Sequence, residues 1–78
     1  MPETQEIVVD ARGHRCPTPT LLLQRAIGRA PAGTVVVLLA DDPMARIDAP
    51  HFAREAGHDL IALETEAAWL RIRVRKAG

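Results

Sequence analysis

One soft nucleophile occurs in this chain, and it occurs once. Cys16 lies in the run Arg12-Gly13-His14-Arg15-Cys16-Pro17-Thr18-Pro19-Thr20. The thiolate is the reactive form of cysteine, so reactivity depends on what surrounds the sulfur. Cys16 follows a loop and precedes a helical pattern. A helix N-terminus offers unpaired N–H groups and partial positive charge. With Arg15 and His14 alongside, the expected result is a thiol that ionises below the ~8.5 of free cysteine. The residue before a proline avoids the α region, which biases Cys16 to an extended, N-cap conformation. Pro17 then opens the helix without losing a hydrogen bond, and the Thr18 N–H is free to point at the sulfur. A second register makes Thr18 the N-cap and Pro19 the first helical residue, with Cys16 just ahead of the helix. Both registers stiffen the backbone beneath an accessible sulfur.

Other groups carry less. A lone cysteine is more often a small buried hydrophobe than a reactive group. Cys16, however, stands at a polar loop-to-helix junction and off any apolar stripe, which favours a functional thiol. With no second cysteine it cannot close an internal disulfide. His14, His51 and His58 combine with Cys16 in no established zinc spacing, so no metal is expected. Asp41, Asp42 and Asp48 fit turn and N-cap duties. There is no Gly-rich phosphate loop and no glycine-flanked serine, and no cofactor is implied. Arg71, Arg73, Arg75 and Lys76 form a basic row. It is either a solvated face whose long stems cover open sheet or a surface for docking an acidic protein partner or for weak RNA contact. Aromatic residues are 3% of the chain and tyrosine is absent, so a base-stacking platform, and with it direct nucleic-acid binding, is not expected.

The elements that must position these groups follow from local pattern. Ile7, Val8 and Val9 predict a short strand, and Asp10 to Arg15 a loop pivoting at Gly13. Pro17 to Ala30 reads as a helix, with Leu22, Leu23, Ala26, Ile27 and Ala30 on its apolar stripe and Pro31 and Gly33 at its end. Thr34 to Ala40 is continuously apolar, the pattern of a central strand. Asp48 is the expected N-cap of a short helix over Ala49 to Ala56, with Pro50 in its first turn, Gly57 past its end, and Phe52, Ala53 and Ala56 facing inward. Leu60 to Glu66 and Trp69 to Arg75 predict two strands around a tight turn. In the last, Leu70, Ile72 and Val74 alternate with Arg71, Arg73 and Arg75.

The order β-α-β-α-β-β has a helix between its first two strands, which implies a parallel pair, and ends in an antiparallel hairpin. The expected fold is α+β: a two-layer sandwich of a four-stranded mixed sheet with two helices on one face, the other face partly open. At 78 residues, 47% hydrophobic and 26% charged, the chain suits one small domain spanning residues 1–78. Ten basic and ten acidic residues give zero net charge, which argues against a bulk polyanion as partner. The polar N-terminus has no signal-peptide pattern, and the longest apolar run, Val35 to Ala40, is far too short for a membrane span. A disulfide-free small core suits a reducing compartment, so a cytoplasmic location is expected.

The motifs also resemble a known family. Asp10-Ala11-Arg12-Gly13-His14-Arg15-Cys16-Pro17-Thr18-Pro19 is similar to the D-x-x-G-x-x-C-P-x-P signature of TusA/SirA-like sulfur carriers. Ala40-Asp41-Asp42-Pro43 with Asp48-x-Pro50 and Phe52 resembles a second motif, and Gly57-His58-Asp59-Leu60 a third. The resemblance implies the β-α-β-α-β-β two-layer fold, which is similar to the C-terminal domain of a bacterial translation initiation factor. It also implies that Cys16 carries sulfur as a persulfide, supported by Arg15, Pro17, Thr18 and Pro19. The partners it implies are a cysteine desulfurase or other persulfide donor and a downstream sulfur-acceptor protein. Relatives serve tRNA thiolation, molybdenum-cofactor enzymes or sulfur oxidation. Members that serve tRNA thiolation commonly have glutamate where this chain has Thr18, and arginine where it has Ile47. Such a protein is a substrate of other enzymes and not itself an enzyme. The other readings of Cys16 are a redox sensor forming sulfenic acid and a small-molecule sulfurtransferase.

Overall fold

VVVLLA, apolar at every position, can be buried on both sides, and it forms an inner strand. In the computed structural model, which describes residues 5–77, six elements follow the expected order. They are β1 (Glu6–Asp10), α1 (Thr18–Arg29), β2 (Val35–Ala40), α2 (Ala45–Glu55), β3 (Asp59–Thr65) and β4 (Leu70–Arg75). The sheet order is β1-β2-β4-β3. β1 runs parallel to β2, and the other two neighbouring pairs are antiparallel. Both helices pack on one face of this mixed sheet, so the fold is an α+β two-layer sandwich.

The core lies between the layers. α1 contributes Leu23, Ile27 and, at its end, Ala30, with Leu22 and Ala26 at the margin. The sheet contributes Val36, Leu38 and Ala40 from β2 and Leu70, Ile72 and Val74 from β4. The alternation in β4 thus sorts the strand: its aliphatic residues face the helices and its arginines face away.

The second helix differs from its expected form. It begins at Ala45, not Ala49, so Asp48 lies inside its first turn and Pro50 inside the helix. Three i→i−3 bonds, from Ala45 to Asp42, Arg46 to Pro43 and Ile47 to Met44, wind the start as a tight 3₁₀-like turn. The inward stripe is Ala45, Ala49 and Ala53, all fully buried, while Ala56 is exposed and Phe52 only half-buried. Alanine every fourth residue lets the α2 backbone lie close to the sheet, and that packing outweighs Pro50 as a start signal.

On the face without helices, long side chains do the covering. Arg73 on β4 donates to Glu6 on β1 at 2.7 Å, spanning β2, and Val35 and Val37 beneath are nearly as buried as core residues. Lys76 is not part of this row. One residue beyond Arg75, its side chain turns to the other face, where Nζ donates to the Ala30 carbonyl at 2.8 Å and caps the end of α1. His58, in the turn before β3, accepts from the Ala77 N–H through Nδ1 at 3.0 Å and tilts against Phe52, fastening the chain after β4.

Candidate functional site

Parallel pairing of β1 with β2 brings the loops after both strands to the same end of the sheet. The loop after β1 carries Cys16; the loop after β2 carries Asp41 and Asp42. Gly13 turns with φ +89°, a conformation that favours glycine, and its N–H donates to both carboxylate oxygens of Asp41 at 3.0 Å. The Cys16 N–H donates to Asp42 Oδ2 at 2.9 Å, while Oδ1 of the same carboxylate accepts from Met44 N–H at 2.9 Å. Each aspartate therefore clamps one point of the cysteine loop, and Asp42 also ties that loop to the start of α2. These bonds, with the nearby Arg15 charge, hold the Asp42 carboxyl below its ordinary range.

The root of the loop is fixed separately. Arg12 grips Asp10 through Nε and Nη2, both at 2.9 Å, which lowers the Asp10 carboxyl to about 2. The Arg12 guanidinium also stacks over the Trp69 ring at 5.1 Å, and Arg71 lies 5.4 Å from the same ring. Trp69, beyond the β3–β4 turn, thereby joins the hairpin to the cysteine loop.

The helix begins at Thr18, with Pro17 in the cap position and Pro19 in the first turn, so neither expected register is adopted. The Cys16–Pro17 peptide is cis. Thr18 N–H does not serve the sulfur; it bonds the Arg15 carbonyl at 2.9 Å. Pro17 is exposed, Thr18 half-buried and Pro19 buried. Cys16 itself is half-buried and packs against the edge of the core.

These positions overturn the expected acidity of the thiol. Burial, the adjacent Asp48 carboxylate and the negative charge of Asp42 push Cys16 up to about 11. The helix that was to stabilise a thiolate starts at Thr18, one residue later than expected, and the charges acting on the sulfur are negative. Arg15 lies against Asp42. In the free protein at neutral pH, Cys16 is a thiol.

The residues on either side of Cys16 line two surface grooves of about 350 Å³ each. One is lined by its neighbour Arg15 with Gly13, His14, Asp41, Asp42 and Pro43. The other, between the helices, includes its neighbour Pro17 with Leu21, Asp48 and Phe52. Among the described residues, no three His, Cys, Asp or Glu side chains are grouped to hold a metal ion.

The family Sulfurtransferase TusA matches residues 7–76. The chain belongs to the TusA family. It is therefore of the sulfur-carrier, sulfurtransferase type, working with partners in sulfur relay. The crystal structure of a SirA-like protein from Desulfitobacterium hafniense is similar over 92% of this chain and 99% of that one, with 26% identity and a TM-score of 0.80.

Against this TusA framework the basic row stands outside the two grooves, although Arg71 shares the Trp69 ring with Arg12 of the cysteine loop. Arg71, Arg73, Arg75 and Lys76 line neither groove beside Cys16. Arg71 pairs with Glu64 and Glu66 at 3.7 and 3.5 Å, and Arg73 with Glu6. Arg75 is exposed and has no ion pair among the described residues. The residues missed from the sequence are Asp41, Asp42 and Asp48, read there as turn and cap residues. The signal was available: a parallel β-α-β unit must bring the ends of its two strands together, so the Asp41-Asp42 turn had to face the cysteine loop.

Proposed function

We propose that this TusA-family chain carries sulfur as a persulfide on Cys16. The observation that supports it is the position of the chain's one thiol, on a loop whose backbone N–H at Cys16 is clamped by Asp42 and whose flanking residues Arg15 and Pro17 each line an open groove. A donor's persulfide is attacked at its terminal sulfur by the Cys16 thiolate. The donor's S–S bond breaks, its cysteine leaves as thiolate, and Cys16 becomes R–S–S⁻. The acceptor's thiolate then takes the terminal sulfur and Cys16 leaves as thiolate, with no net oxidation. The donor is a cysteine desulfurase or a rhodanese-like protein, and the acceptor a protein of tRNA thiolation, cofactor sulfuration or sulfur oxidation, in a reducing cytoplasm. The protein is then a substrate of its partners and not an independent enzyme. The alternative reading of Cys16 is a peroxide sensor forming sulfenic acid.

Incubation with a cysteine desulfurase and cysteine should add one sulfur atom to the intact mass, removed by reductant. Oxygen adducts under peroxide with no sulfur loading would replace this reading with the sensor. The basic row is proposed as a secondary contact for an acidic partner, carried by Arg75. Arg75→Glu should slow loading about 2- to 5-fold at low salt, with the difference vanishing at high ionic strength. Equal rates at both salt concentrations would leave Arg75 as a solvated side chain.

A further inference from the structure

The groove between the helices has a chemistry that the carrier role does not by itself require. Its apolar surface comes from Pro17 and Leu21 at the start of α1 and Phe52 on α2. Leu21 is 53% exposed, although it lies beside the core stripe of α1. Along α2, Asp48 and Glu55 flank this surface, with His51 between them. A spacing of seven residues puts both carboxylates on one helix face. Neither is ion-paired among the described residues, while every ion pair found in the described residues lies elsewhere. Thr20, on the groove wall, is 8% exposed, and its buried hydroxyl has no hydrogen-bond partner among the described residues.

We propose that this groove receives a loop of the relay partner in which an apolar side chain is followed by lysine or arginine. The apolar group seats between Leu21 and Phe52, and the cation sits between Asp48 and Glu55. The proposal rests on the carrier reading of Cys16 and names the partner surface that reading needs. Charge complementarity selects the occupant. An acidic loop would meet Asp48 and Glu55 together. A purely apolar one would leave unpaired carboxylates at the rim of a dry contact. The same placement couples docking to chemistry. A cation beside Asp48 offsets the negative charge facing the sulfur. The Cys16 proton then leaves to solvent, and the thiolate forms only where a persulfide is at hand to be attacked.

The test uses Glu55→Lys, an exposed substitution that leaves Cys16 and its clamp untouched. With a cysteine desulfurase as donor, the second-order loading rate should fall about tenfold. Melting of the free protein should be unchanged. Wild-type loading by Glu55→Lys, or faster loading, would overturn the cationic occupant while the carrier reading stood. A second measurement is independent of sulfur transfer. A millimolar N-acetyl-Leu-Lys-amide peptide should shift the amide resonances of Leu21, Asp48 and Glu55, and the Leu-Gln counterpart should not. Equal shifts with both peptides, or shifts that appear on raising the protein concentration alone, would overturn the proposal; the latter would assign the groove to a second copy of the chain. If wild type takes up no sulfur, the carrier reading fails, and the peptide titration still decides the groove.

Discussion

Cys16→Ser is expected to take up no labile sulfur from any persulfide donor, while folding to the same structure. The loss is complete because the chain has no other cysteine to which sulfur could pass. The fold survives because the loop is not held by the sulfur. Asp42 accepts from the main-chain N–H of residue 16, and Asp41 from that of Gly13, and both bonds are indifferent to the side chain. The cost is nevertheless not zero. Cys16 is half-buried against the core, so a more polar serine at that margin should cost about 1 kcal/mol. In a domain of this size that lowers Tm by about 4–8 °C. The measurements are intact mass after loading, and thermal melting of both proteins. Labile sulfur on Cys16→Ser would sink the carrier site outright. A fall in Tm of more than about 20 °C would mean that the thiol is a packing element first.

How much of this was legible in the sequence depends on the range over which each feature is decided. The β4 alternation and the Leu23–Ile27 stripe of α1 are local patterns, and the structure sorts them as their periodicity dictates. The start of α2 was misread for the opposite reason. Asp48 and Pro50 imitate a cap and a first-turn proline, yet the boundary is set by burial of Ala45, Ala49 and Ala53 against the sheet, a tertiary condition. Lys76 extended the arginine row on paper, but one step of strand alternation carried it to the other face and onto the Ala30 carbonyl. The cysteine was found readily, and its titration was not. The helix end and Arg15 are its neighbours in sequence. Burial against the core and the carboxylates of Asp48 and Asp42 are tertiary, Asp42 arriving from 26 residues away across the parallel β1–β2 pair.

That misread acidity carries the second large effect. The free protein should react with iodoacetamide in a pH profile that climbs through pH 9 and 10, is half-maximal near 11 and levels only above it. A thiol titrating at about 11 instead of 9.0 has about 100-fold less thiolate at neutral pH. Its thiolate is intrinsically more nucleophilic by about tenfold over that interval, so the net reaction at pH 7.5 should be only about tenfold slower than that of an ordinary thiol. Asp48→Asn keeps the shape of the side chain and removes its charge. The profile should then shift to lower pH, and alkylation at pH 7.5 should rise about 3- to 10-fold. Burial, the largest cause, remains in this variant, so the profile should not return all the way to that of free cysteine. The same proton sets a stability term. The folded chain holds it up to about 11 and the unfolded chain only to about 9, so this contribution is complete below pH 9 and is lost as pH rises through that window. Asp48→Asn should flatten that decline. A wild-type profile that levels below pH 9 would show that burial and the two carboxylates do not govern the sulfur. Identical profiles for wild type and Asp48→Asn would leave burial and Asp42 to govern it without Asp48.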